Sequence, residues 1–290
     1  MVGSDMKDIS RDGDRVANWG KTTGDYAGWR PNYPDRFYQA LTVFGVGLAG
    51  QQILDLGTGV GCLALQFAEA GALVTGIDIS TEQIDQARQR AARLGIKTNF
   101  FVASAEDTGL PAASFDAITA SQSWLYFDKE RAIPEVRRLL VPDGVLVTSS
   151  FGWLPRVDSI ARASEALVLK HNPDWSAADF SGEWPFAPKW IDGHFRVKAM
   201  FVFEESIPFT RESWRGRIRA CRGIGATLTS DQVAAFDHEH AALLDAIAPE
   251  SFTVLHSVNA HILEPIPASR TARIPPRSSV FYSDHSPEIT

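Results

Sequence analysis

Apolar residues along this chain fall into short blocks separated by longer stretches of helical spacing. Residues 53–56 form an apolar strand broken by one acid, and 62–69 follow with the rhythm of a helix. Residues 73–78 read as a second strand, again closed by an acid. Ser80-Thr81-Glu82-Gln83 has the form of a capping box, opening an amphipathic helix through Arg93 that Gly95 stops. Strands over 98–103 and 114–120 come next, then a helix, the turn Pro142-Asp143-Gly144 and a fifth strand. Upstream, residues 35–44 fit a helix whose Phe37, Leu41 and Phe44 pack inward. Strand and helix in alternation predict an α/β fold.

After Phe151 the pattern changes. Residues 157–170 keep helical spacing, but 172–195 are dense in Trp, Phe, Pro and Gly with weak periodicity and read as an irregular lid. A strand is expected over 196–209, helices over 210–222 and 230–248, and a last strand over 252–263. Five of the eight tryptophans lie beyond this point: Trp153, Trp175, Trp184, Trp190 and Trp214. Some of these would line a pocket and the rest would hold a small cap together.

The chemistry begins where the first strand ends. Asp55-Leu56-Gly57-Thr58-Gly59-Val60-Gly61 puts three alternating glycines between a strand and a helix N-terminus, where the backbone can turn sharply and a ligand can approach it. A dinucleotide loop requires G-x-G-x-x-G, and Cys62 stands where its third glycine belongs. The D-x-G-x-G-x-G pattern instead resembles motif I of the class I S-adenosylmethionine-dependent methyltransferases. Asp78, closing the next strand, Glu106 past the third, the Phe115-Asp116-Ala117-Ile118 strand and the Pro142-Asp143-Gly144 turn fall in that family's order over residues 51–151. The resemblance implies a doubly wound, mostly parallel seven-stranded sheet with an inserted helical cap. It also implies that Gly57 and Gly59 cradle the cofactor, that Asp78 accepts both ribose hydroxyls with Ile79 beside it, and that Ala105 and Glu106 lie at the adenine. Asp55 either fixes the glycine loop or reaches the cofactor, and Asp116 is expected to be structural.

Tyr26-Ala27-Gly28-Trp29-Arg30-Pro31-Asn32-Tyr33-Pro34 resembles the Y-x-x-x-R-P-x-Y-P lead of many small-molecule methyltransferases, the trans-aconitate-methyltransferase-like enzymes among them. The likeness implies that Arg30 forks the methionyl carboxylate, as a lysine cannot, and that Tyr26 closes the same pocket. After the fourth strand, Ser121 and Gln122 are expected at the cofactor, with Trp124 and Tyr126 facing the acceptor beside Trp153 and Trp184. Ser123 replaces the histidine often found here in the family, so no particular acceptor or base carries over. Methyl transfer from a sulfonium mainly demands alignment and exclusion of water. Where a base is required, Tyr126, His194, His238 and His240 are weak candidates.

Composition narrows the partners. With 290 residues and 44% hydrophobic content, the chain has room for one α/β domain and an insertion. Residues 1–50 are expected to lead over the cofactor site. Residues 51–152 with 252–266 form the core, 153–251 the cap, and 267–290 an extended tail. No apolar run reaches membrane-span length, and the first residues lack a signal-peptide core, so a cytoplasmic protein is expected. Net charge of −7 argues against nucleic acid. Two cysteines, Cys62 and Cys221, make no metal site, and His238 and His240 face different sides of one helix. The sequence therefore predicts methyl transfer from S-adenosylmethionine, leaving S-adenosylhomocysteine, to a small organic acceptor, without a metal and with a second copy of the chain as a candidate partner. Two alternatives stay open: a non-catalytic or non-methylating protein that binds the same cofactor, and a methyltransferase for isoprenoid or quinone head groups.

Overall fold

A computed structural model describes residues 11, 12 and 14–267. Seven strands form its main sheet: β1 (Gln52–Leu56), β2 (Leu73–Asp78), β3 (Asn99–Val102), β4 (Phe115–Ser121), β5 (Leu140–Trp153), β6 (Phe195–Thr210) and β7 (Ser251–Pro265). Their order is β3-β2-β1-β4-β5-β7-β6. The first five run parallel, while β7 is antiparallel to both β5 and β6. Such a sheet is doubly wound, and the crevice at its strand carboxyl ends is where ligands bind. The expected tail lies outside the described residues.

Among the described residues, eight α-helices accompany the sheet: α1 (Thr23–Trp29), α2 (Asp35–Val43), α3 (Cys62–Glu69), α4 (Thr81–Leu94), α5 (Lys129–Leu139), α6 (Ser159–His171), α7 (Arg211–Arg219) and α8 (Ser230–Ile247). Phe37 and Leu41 of α2, Leu63 and Phe67 of α3, and Ile84 and Ala87 of α4 share one core with α6 to α8. The other face is smaller and belongs to α5, through Ala132, Ile133, Val136 and Leu139. None of the described helices is long and apolar enough to cross a membrane.

Local chemistry explains most boundaries. Gly95 adopts φ +67° and closes α4, as a left-handed glycine cap does. The expected capping box at its other end is half-formed. Ser80 accepts from Gln83 N, but the Gln83 side chain turns away and donates to Trp19 O at 3.1 Å. That bond clips the N-terminal segment to α4. The fifth strand begins at Leu140, before the Pro-Asp-Gly turn, with an irregular register against β4 that Asp143 absorbs at φ +67°.

The lead segment is bound into the cap rather than lying free. Asn18 N donates to Ala226 O at 2.8 Å, and Arg219 of α7 forks Asp25 of α1 at 2.8 and 3.1 Å. Arg219 also reaches Asp237 of α8, which Arg215 shares. Trp29 rests on Gly216, where a Cβ would stand 2.1 Å from the indole. Only glycine permits that approach.

Candidate active site

Glycine conformation shapes the loop after β1. Gly57, Gly59 and Gly61 all have positive φ, at +65°, +56° and +79°. A Cβ on Gly57 would meet Ser123 at 2.5 Å, so both the angle and the space there require glycine. Beneath the loop Asp55 is buried, with Thr58 Oγ1 donating to one carboxylate oxygen at 2.7 Å and Thr119 Oγ1 to the other at 2.6 Å. Burial pushes Asp55 up to about 6 against those two bonds. Of its two readings, the loop-fixing one agrees with this geometry.

Asp78 lies at the carboxyl end of β2 and ties two turns together. Its Oδ2 accepts from Gly59 N and its Oδ1 from Ser80 N, each at 2.9 Å. Burial raises its pKa, and the backbone donors oppose the rise. Ile79 follows with 73% exposure. Ala105 is buried, and Glu106 Oε1 accepts from Asp128 N at 2.9 Å, which joins the loop after β3 to the start of α5. Over the loop sits Tyr26, whose ring would lie 3.8 Å from a Cβ on Gly59. The Arg30 guanidinium is 4.7 Å from the centre of that ring.

Beyond β4 the backbone is strained. Gln122 has φ +62°, held by Gln122 N donating to Ser149 O at 2.9 Å and by its side-chain amide donating to Phe151 O. Ser121 Oγ donates to Tyr33 Oη at 2.7 Å, and Ser149 Oγ donates to Ser121 Oγ at 2.9 Å. Burial pushes Tyr33 up to about 12, so these three hydroxyls form a neutral cluster beside the loop. Tyr33 belongs to the R-P-x-Y-P segment but was not foreseen at the site. Ser149 carried no sequence signal.

Several expected acceptor contacts lie elsewhere. Trp124 turns to the α5 face, buried against Trp190 and Phe127 at ring distances of 4.7 and 5.8 Å. Two residues on, Tyr126 lies edge-on to Trp19 at 5.4 Å, and burial pushes its pKa up to about 12, which does not favour a base near neutrality. His194 precedes β6 at the amino end of the sheet, where its carbonyl accepts from Arg137, so it stands away from the glycine loop. His238 is exposed on α8. His240 is buried on Ser164 at 2.9 Å and lowered to about 4. Trp184 Nε1 donates to Ser257 Oγ at 3.1 Å, and its ring packs at a tilt against Phe180, 4.9 Å between centres.

Trp153 stays with the cap. Its indole N–H donates to Glu165 at 2.6 Å, and its ring lies 4.7 Å from the Arg217 guanidinium. Opposite Trp153 in the β5–β7 pairing is His256, which is fully buried. Its Nδ1 lies 2.9 Å from Val254 O and must carry the proton, which leaves Nε2 as a bare acceptor with no partner among the described residues. Burial and two nearby arginines, Arg217 and Arg30, push His256 down to about 3. Neither Arg217 nor His256 was foreseen. Each sits in a segment without a motif, and only the fold brings them to Arg30.

Comparison with known proteins agrees with this geometry. Residues 53–144 match the family model described as a methyltransferase domain. The chain is 32% identical over 179 residues to a ubiquinone biosynthesis O-methyltransferase of Haemophilus ducreyi, covering 60% of this chain and 75% of that protein. It is 39% identical over 111 residues to a demethylmenaquinone methyltransferase of Thermus thermophilus, covering 37% of this chain and 50% of that one. A solved structure from Anaeromyxobacter dehalogenans, a type II methyltransferase by its description, aligns with TM-score 0.52 and 25% identity over 81% of this chain and 96% of its own. A glycine loop locked to the acid that closes the second strand, on a sheet of this order and with relatives of this kind, leaves one family: the chain belongs to the class I S-adenosylmethionine-dependent methyltransferases.

Proposed function

We propose that this methyltransferase acts on a small organic acceptor held between the carboxyl ends of β4 and β5 and the cap of α6 to α8. The observation that carries the reading is the lid: Tyr26 and Arg30 lie over the glycine loop while their own segment is pinned to α7 and α8 through Asp25, Trp29 and Gly216. Cofactor side and cap side therefore share one roof.

When bound, S-adenosylmethionine supplies a methyl group already activated on a sulfonium. The residues present fit it. Gly57 and Gly59 hold the left-handed turn of the loop, with Gly57 packed directly on Ser123 and Gly59 beneath Tyr26. A carboxylate has about four acceptor sites, so the bonds to Gly59 and Ser80 leave Asp78 able to take ribose hydroxyls. Ile79 would cover the adenine, with Ala105 and Glu106 at its edge. Ser121 and the strained Gln122 would flank the methionyl part, and Arg30 would fork its carboxylate. Asp55 supports the cradle from below.

For the acceptor, alignment and dryness matter most. Trp153, Tyr126 and the Tyr33–Ser121–Ser149 cluster wall the space beside the loop. His256, neutral and with a bare Nε2, orients an acceptor O–H or N–H rather than removing its proton, since a group near 3 is a weak base. A quinone or isoprenoid head group is the second reading, supported by the names of two relatives. Transfer from methyl-labelled S-adenosylmethionine to a panel of small carboxylic acids, phenols, amines and short-chain quinols tests both. Label in the small polar acceptors supports the first reading. Label in quinols alone replaces it with the second. Label in none, with the cofactor bound, contradicts both.

A further inference from the structure

Arg217 is 5% exposed, yet it forms no ion pair and no hydrogen bond among the described residues, and its Nε is buried without a partner. Its guanidinium carbon lies 4.7 Å from the centre of the Trp153 ring. A contact with a ring face satisfies none of the guanidinium's N–H donors. A buried cation without a counter-charge is among the costliest arrangements a protein can hold.

The surroundings make the imbalance worse. Arg30 is near enough to repel Arg217, and it too has no carboxylate partner. No carboxylate is among the groups that act most strongly on Arg217. Burial pushes the Cys221 thiol up to about 11 and raises Tyr26 above its usual range, so both are neutral. His256 is also neutral and keeps its unpartnered Nε2. Glu165 is close to Trp153, but it is held by the indole N–H and by Asp179 N. Burial brings Arg217 down to about 9, which still leaves it charged near neutral pH.

Two buried or half-buried arginines therefore lie close together, neither paired with a carboxylate among the described residues. Arg30 sits at the glycine loop and is matched by the cofactor's carboxylate in the reading given above. Arg217 is one element further out, on α7, beneath the cap and against β5 and β7. We infer that Arg217 is the anchor for a carboxylate on the acceptor, so that the enzyme's substrates are small organic acids. A carboxylate forked by a guanidinium is engaged through both oxygens, so it serves as a handle, and the methylated atom is another nucleophile of the same molecule. Discrimination of this kind is large, because the neutral analogue leaves a buried charge unpaired.

The inference rests on the proposed acceptor site, and its test separates the two. With protein saturated by S-adenosylhomocysteine, acetate and benzoate are titrated against acetamide and benzamide, following tryptophan fluorescence, in wild type, Arg217→Met and Arg217→Lys. At least one carboxylate is expected to bind roughly ten-fold tighter than its amide in wild type. Arg217→Met should erase that preference and Arg217→Lys should retain part of it, with S-adenosylhomocysteine affinity changed by less than about two-fold in either variant. Met keeps the length of the stem on Trp153, and Lys guards against misfolding of the first variant. Equal binding of acid and amide in wild type overturns the inference. So does a loss of S-adenosylhomocysteine affinity in both variants, which would make Arg217 a second clamp for the cofactor. Failure of wild type to bind S-adenosylhomocysteine at all would instead remove the cofactor placement beneath it.

Discussion

The cofactor half and the cap half of this molecule are built by opposite rules. From β1 to β5 the proposed cofactor site is built chiefly from strand ends and backbone: three left-handed glycines, an acid that accepts from Gly59 N, and a strained Gln122. Each is contiguous with a strand end, so spacing along the chain is geometry in space. In the cap half, Arg217, His256, Trp153 and Tyr26 come from four separate elements. Their meeting depends on how α7 and β7 pack, and no short stretch of sequence records it. Cofactor recognition is written locally, whereas acceptor recognition exists only after folding.

That contrast can be broken by substitutions on either side. The largest effect is expected at Gly57. Valine there combines a φ of +65° with a Cβ 2.5 Å from Ser123, and S-adenosylhomocysteine affinity by calorimetry should fall at least about 100-fold as the cradle closes. Gly216→Leu attacks the hinge between the halves. It should displace Trp29, cost about 1–3 kcal/mol in denaturant unfolding as overpacking does, and weaken the cofactor by loosening the lid. An unchanged affinity for S-adenosylhomocysteine would show that the lead segment does not roof the site.

Acidity gives a smaller and more selective effect. Ionised Asp78 accepts hydrogen bonds on both oxygens, whereas the protonated acid turns one of them into a donor, and burial has raised its pKa above the ordinary carboxylate value of about 4. S-adenosylhomocysteine affinity should therefore be full at pH 7 and fall several-fold as pH drops through that raised pKa, before ordinary carboxylates titrate. Asp78→Asn should bind weakly with a flat profile across the same range. Trp184→Phe should do least. It removes one bond to Ser257, costs about 1 kcal/mol of stability, and leaves cofactor affinity alone.

How much was legible follows the same division. The seven main strands and most helices were readable because alternation, glycine stops and caps are local: 73–78 matches β2, and Gly95 ends α4 as expected. Side-chain direction was less readable. Trp124 and Tyr126 are two apart in a 3₁₀ turn, and only the packing of Trp190 shows that the first faces α5. Gln83 was assigned to a capping box, but a competing partner, Trp19 O, took its amide. His194 looked like an aromatic-lid histidine, but the edge position of β6 carries it to the amino end of the sheet. Arg217 resembled any arginine on an amphipathic helix, because burial without a counter-ion is invisible in a string of residues.

The most direct test is one calorimetric series: S-adenosylhomocysteine titrated into wild type, Asp78→Ala and Arg217→Met. Wild type should bind in the micromolar range or tighter, Asp78→Ala should lose at least about ten-fold, a loss of roughly 1.4 kcal/mol, and Arg217→Met should match wild type within about two-fold. Equal losses in the two variants would contradict the separation of a locally built cofactor site from a fold-built acceptor site.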